Sequence, residues 1–129
     1  MGILRESQKQ PAQLYVSGRQ QKKISGMAKS TLTVIVSRGN PPAPIFVRCF
    51  KDGKHFLDVS SSASFNHHFT DLAEGDYDIY ITGFNRKDGG DTTCFLSEEE
   101  IKLRMPDKSE IKTTEAAYLV RFQFTVGEE

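Results

Sequence analysis

Between residues 118 and 126, Tyr118, Val120, Phe122, Phe124 and Val126 alternate strictly with Leu119, Arg121, Gln123 and Thr125. Side chains of an extended strand point to opposite faces in turn, so this run has one face to bury. A helix would scatter the same five apolar residues around its circumference, which excludes a helical reading. The same period recurs along the chain. Residues 75–84 place Tyr77, Ile79 and Ile81 on one face and Asp78, Tyr80 and Thr82 on the other. Residues 31–37 group Leu32, Val34 and Val36, and residues 100–105 group Ile101, Leu103 and Met105 opposite Lys102 and Arg104. Residues 13–17 form a shorter candidate strand. Helical periodicity is not found anywhere, and nine Phe and four Tyr supply strand-forming bulk.

Lys51-Asp52-Gly53-Lys54 is a hairpin signal, because an Asp-Gly pair accepts the two positive φ angles of a type I′ turn. A two-residue loop there pairs Phe50 with His55, Cys49 with Phe56 and Arg48 with Leu57. That register predicts Phe46, Phe50, Leu57 and Val59 on one face and Val47, Cys49 and Phe56 on the other. Both faces then carry apolar side chains, so the hairpin is expected to be central or covered by something outside the domain. The Asn40-Pro41-Pro42-Ala43-Pro44 run cannot continue a central strand, because proline lacks the ladder donor. Residues 85–91 read as a polar loop, residues 106–117 as a polar crossover with room for a helical turn, and residues 17–30 as a long basic connection. Eight candidate strands at this spacing predict a sandwich of two sheets.

The chain has 129 residues, enough for one self-sufficient core. Two units are expected within it: a polar basic arm over residues 1–30 with one short strand, and a sandwich over residues 31–129. Net charge is zero, which argues against a protein devoted to nucleic acid or a membrane surface. The charge is unevenly spread. Residues 1–30 carry Arg5, Lys9, Arg19, Lys22, Lys23 and Lys29 against Glu6, and residues 98–129 carry eight acids against five bases. A basic head and an acidic tail suit contact between copies, a charged partner, or two solvated ends. No apolar run approaches the ~18 residues of a membrane helix. No export signal is legible, and Glu6 stands where a myristoylation pattern wants Ser or Thr. The expectation is synthesis in the cytoplasm, with the final location open. Cys49 and Cys94 read as two buried thiols or, in an oxidising compartment, as a bridge across the sandwich.

Phe69-Thr70-Asp71-Leu72-Ala73-Glu74-Gly75-Asp76-Tyr77 is similar to the Phe-x-x-Leu-x-x-Gly-x-Tyr corner of transthyretin-like sandwiches. These include carboxypeptidase regulatory-like and Cna protein B-type domains. The resemblance covers about fifteen residues and implies an all-β, immunoglobulin-like or transthyretin-like antiparallel β-sandwich of seven or eight strands. It also implies that Phe69 and Tyr77 turn inward, Leu72 plugs the sandwich end and Gly75 makes the turn. Cna B-type domains often carry a Lys–Asn isopeptide bond with the Asn in the last strand. Here that strand contains no Asn, so the cross-link is not expected.

Few residues invite chemistry. His67 and His68 are adjacent on a strand and point to opposite faces, so only one of them could join His55 and Asp58 at a metal. Asn85, Asp88 and Asp91 offer oxygens on a loop, without the acidic spacing or terminal Glu of a calcium-binding EF-hand. Ser60, Ser61, Ser62 and Ser64 lack a glycine-flanked elbow and a paired base. Catalytic, cofactor and metal residues are therefore expected to be none, and the protein is not expected to be an enzyme. Tyr15, Tyr80 and Phe84 are the candidates for stacking a sugar, in a chain without Trp. The leading expectation is a structural or protein-interaction subunit of a larger assembly, such as a phage virion or contractile injection machine. It would bind protein partners or copies of itself through the arm and the sheet faces. A carbohydrate- or peptide-binding module is the alternative.

Overall fold

The computed structural model describes residues 27–127, which form two antiparallel sheets and no helix. The strands are β1 (Ala28–Val36), β2 (Ile45–Lys51), β3 (Lys54–Ser61), β4 (Phe65–Leu72), β5 (Gly75–Phe84), β6 (Thr92–Leu96), β7 (Lys102–Met105), β8 (Glu110–Thr113) and β9 (Ala117–Val126). One sheet has the order β4-β1-β6-β8 and the other β3-β2-β5-β9-β7. Residues 1–26 of the arm, with its candidate strand at residues 13–17, lie outside the described residues. β1 itself begins at Ala28, three residues before the expected domain start.

Alternation places the core where the sequence pattern requires. Tyr118, Val120, Phe122, Phe124 and Val126 are buried along β9, and Tyr77, Ile79 and Ile81 along β5. Leu32, Val34, Cys94 and Leu96 meet them from the other sheet. Fully burying a Leu, Ile, Val or Phe side chain contributes about 1.5–3 kcal/mol, so these inner faces hold the two sheets together.

The corner between β4 and β5 is built by Tyr77. Its Oη donates to the Ala73 carbonyl at 2.6 Å, and its ring stacks on Phe124 with centroids 4.9 Å apart. Phe69 and Leu72 are buried as the resemblance implied. Gly75 has φ 155°, and a Cβ there would meet the Lys51 and Asp52 side chains. Those residues belong to the β2–β3 hairpin tip. Asp52 N–H donates to the Asp76 carbonyl at 2.7 Å, and Asp76 N–H donates to Asp52 Oδ1 at 3.0 Å. The hairpin tip and the corner are thus clamped together.

The structure departs from the sequence pattern in three places; in the smallest, a bulge in β7 between Leu103 and Met105 leaves Met105 40% exposed instead of on the core face with Ile101 and Leu103. Asp52 and Gly53 do have positive φ angles, and Phe50 pairs with His55. The next pair, however, is Cys49 with Leu57, because Phe56 forms a β-bulge. The bulge adds one residue and flips the remainder of β3. Leu57 and Val59 therefore pack on the core with Val47 and Cys49, while Phe46 faces outward. The third departure is β8, which lies in the segment expected to be a crossover. It brings the described strands to nine and pairs with β6 from Thr92–Thr113 to Phe95–Glu110. As a four-residue edge strand it presents only Ile111 to the core, too short a pattern for periodicity to detect.

Candidate interaction surface

The five-stranded sheet turns its outer face to solvent. Pairing aligns its outward residues in rows across the strands. Phe46, Thr82 and Leu119 form one row, with Ser60 beside Phe46. Phe84 and Ala117 form the next row toward the sheet end. Phe46 is 53% exposed, Phe84 49% and Leu119 61%. Three large apolar side chains from β2, β5 and β9 thus share one open surface.

Beyond that row the face changes character. Asp58, Arg48, Tyr80 and Arg121 align in the following row, and their charges are satisfied within the face. Arg48 Nε lies 3.5 Å from Asp58 Oδ1, and His55 Nε2 lies 2.8 Å from the same oxygen. The His55 hydrogen bond, helped by Arg48, holds the Asp58 carboxyl below its usual range. Arg121 donates from Nε and Nη2 to Asp78 Oδ1 at 3.0 and 2.8 Å. Its guanidinium carbon also sits 5.2 Å from the Tyr80 ring centroid, and Phe50 packs edge-on against the same ring. Tyr80 is therefore engaged on its own sheet rather than presented as an open platform.

The apolar row runs into an open bowl at the end of the sandwich. Pro42 and Ala43 come from the β1–β2 loop, Phe84 to Asp88 from the end of β5 and its loop, and Ala116 and Ala117 from the start of β9. The bowl has a volume of about 800 Å³. Its wall is locked by Asn85, which is buried. Asn85 Nδ2 donates to the Thr113 and Glu115 carbonyls at 3.1 and 2.7 Å, and its Oδ1 accepts from Thr92 Oγ1 at 2.6 Å. Buried amides of this kind require such partners. At the rim, Asp88 Oδ1 lies 3.3 Å from Arg86 Nε and 4.0 Å from Arg38 Nε. The Arg86 hydrogen bond leads in lowering the Asp88 carboxyl.

These partners determine what the sequence candidates do. Asn85 is a structural lock, Asp88 pairs with arginines, and Asp91 Oδ2 lies 3.6 Å from Lys112 Nζ. The loop oxygens thus face bases or the interior. His55 is tied to Asp58. His67 turns its ring onto Phe69, with centroids 4.6 Å apart, and His68 Nδ1 lies 3.0 Å from Thr31 Oγ1 on the outer face of the other sheet. Among the described residues, no three His, Cys, Asp or Glu side chains converge as a metal site requires. Ser61 Oγ donates to the Ala63 carbonyl, and Ser64 Oγ accepts from Val36 N–H, so both serve the β3–β4 turn and its neighbour. Cys49 and Cys94 are free, and burial pushes both thiols up to about 12. Tyr15 lies outside the described residues. No described helix is long and apolar enough to cross a membrane.

The sequence reading placed Leu119 on the outer face and left Phe46 in the wrong company. The visible clue was Leu119 itself, the one large apolar residue on the polar face of β9. Comparison with protein-family models, with characterised proteins and with solved structures finds no match for this chain.

Proposed function

We propose that this sandwich is a non-catalytic assembly subunit that docks through the outer face of its five-stranded sheet onto copies of itself. The observation that carries the reading is the row of Phe46, Thr82 and Leu119 continued by Phe84. Contiguous exposed apolar side chains of this size mark contact surfaces on globular proteins. Covering the remaining exposed half of each is worth about 1 kcal/mol, a hot-spot scale when several sit together. Arg121 over Tyr80 and the absence of Trp weigh against a sugar-stacking site.

Two further points support the class of protein. The order β3-β2-β5-β9 over β4-β1 parallels the C′-C-F-G and E-B order of immunoglobulin-like sandwiches, with β6, β7 and β8 inserted in the chain between β5 and β9. The Tyr77–Ala73 hydrogen bond resembles the tyrosine corner found in such sandwiches, which supports the reading. The type of assembly proposed, a phage virion or contractile injection machine, is drawn by analogy with small β-sandwich subunits in general.

The test is sedimentation velocity of the full chain at concentrations up to ~1 mM, the weak limit of useful association. The wild type is expected to self-associate. Phe46→Glu with Leu119→Glu is expected to abolish association at a cost of about 1–2 kcal/mol in urea stability, the share of each side chain already buried in the fold. A wild type that stays monomeric throughout, or association indifferent to both substitutions, overturns the reading.

A further inference from the structure

Among the described residues, β4 and β8 are the edges of one sheet, and β3 and β7 those of the other. An edge leaves a row of backbone N–H and C=O groups unpaired, and natural edges are blunted by brevity, charge or bulges. Three of these edges are blunted so. β7 and β8 have four residues each, with Lys102 and Arg104 on the one and Glu110 and Lys112 on the other. β3 carries Lys54, Asp58 and the Phe56 bulge. β4 differs. It has eight residues, and its stretch Phe65-Asn66-His67-His68-Phe69-Thr70 contains no Lys, Arg, Asp, Glu or Pro. It pairs with β1 without a shift from Phe65 to Phe69. An unblunted edge of this length is a template for a further strand.

Between the edges β4 and β3 lies a groove of about 510 Å³. Phe69 and Leu72 line it from β4, Phe56 and Leu57 from β3, and Tyr77 from β5, with His67 beside them. The bulge in β3 leaves Phe56 44% exposed, edge-on to Tyr77 with ring centroids 5.8 Å apart. A strand added to β4 sets alternate side chains into this groove, and backbone pairing with such pockets is how edge addition gains affinity and specificity. The chain itself enters the described structure at this place. Residues 1–26 precede Met27, and Ala28 pairs with Leu72 of the groove. Among them, Gln13-Leu14-Tyr15-Val16-Ser17 has the strand period, with Leu14 and Val16 on one side. Residues 18–27 join that run to β1. The far side of β4 is two strand spacings from β1, about 10 Å. A ten-residue link reaches up to about 33 Å, more than enough to cross the end of β4.

We propose that residues 13–17 of the same chain add to the open edge of β4 as a further strand and seat Leu14 and Val16 in the groove between β4 and β3. A short link holds the segment at an effective concentration of about 1 mM, which favours the chain's own arm over that of a neighbour. Tyr15 then faces outward beside Asn66 and His68, and the exposed Phe56 ring gains a cover. The inference goes beyond the docking face, because it uses the side of the sandwich and involves neither Phe46 nor Leu119.

Hydrogen exchange read by mass spectrometry tests it on the full chain. In the wild type, the amides of residues 13–17 are expected to exchange at least ~10-fold more slowly than in an unprotected chain. Leu14→Asp with Val16→Asp is expected to remove that protection and to speed exchange along the open edge of β4. Both positions precede the described strands, and unchanged protection of β5 and β9 verifies that the variant is folded. Unprotected residues 13–17 in the wild type, protection that survives the two substitutions, or a β4 edge indifferent to them overturns the docking. Protection is also expected to hold over a ~100-fold dilution of the Phe46→Glu, Leu119→Glu variant, as an intramolecular contact requires. Protection lost on dilution assigns the strand to a neighbouring copy and overturns docking by the chain's own arm. Sedimentation reports the outer face separately. A monomeric wild type with residues 13–17 protected removes the docking face and keeps the arm strand, and self-association with those residues unprotected does the reverse.

Discussion

Replacing Asn85 by Ala removes three side-chain hydrogen bonds at once, and the expected cost follows from where they lie. Two are donated to the Thr113 and Glu115 carbonyls, and one is accepted from Thr92 Oγ1. A net contribution of about 1 kcal/mol each gives ~3 kcal/mol. The carbonyls flank an exposed loop where water can replace the amide, which keeps their share near that value. Thr92 is fully buried, so its hydroxyl loses its acceptor without gaining water, adding about 1–2 kcal/mol. The total is about 4–5 kcal/mol. Against the ~5–15 kcal/mol that holds a domain of this size, that is a large fraction, and it lowers Tm by roughly 16–20 °C. The assay is urea unfolding followed by far-UV circular dichroism, since the chain has no Trp to report. Thr92→Val supplies the control. It deletes the hydroxyl that Asn85→Ala strands, so the double variant should be about 1–2 kcal/mol more stable than the sum of the singles predicts. An Asn85→Ala cost below ~1 kcal/mol, or strict additivity in the cycle, would refute the claim that Asn85 locks the bowl wall.

Two further perturbations probe the interior and the pH response. Tyr118 is buried, and its Oη makes no well-formed hydrogen bond, the Thr92 hydroxyl being its one polar neighbour in reach among the described residues. Tyr118→Phe is therefore expected to raise stability by about 1 kcal/mol in urea, since a desolvated and poorly bonded hydroxyl is removed; a loss of stability would show that the Thr92 contact satisfies it. His67 has its pKa lowered from the usual 6.5, first by burial and then by the neighbouring charge of His68. A depressed histidine binds its proton more readily when unfolded, so its stabilising contribution is complete above 6.5 and declines as pH falls below that value through the folded pKa. Urea midpoints measured from pH 7.5 to 5 should fall with acid, and His67→Gln should flatten that slope; an identical slope in the variant refutes the assignment.

The strands of the core were legible because alternation is a local property. Five apolar residues at every second position of β9, or three on β5, have only one solution in an extended chain, and the Asp52-Gly53 turn and the Tyr77 corner are equally local. A sandwich therefore followed from the amino-acid order alone. Tertiary pairing decided everything lateral. The Phe56 bulge moved Leu57 and Val59 inward, a shift dictated by packing against Tyr77 and the core rather than by the turn. β8 became a strand only because β6 offered it an edge. Phe46, Phe84 and Leu119 are far apart in the chain, and no local period announces that β2, β5 and β9 will lie side by side. The docking face and the locked bowl are products of that neighbour order, which depends on long-range pairing and so is written in no single segment.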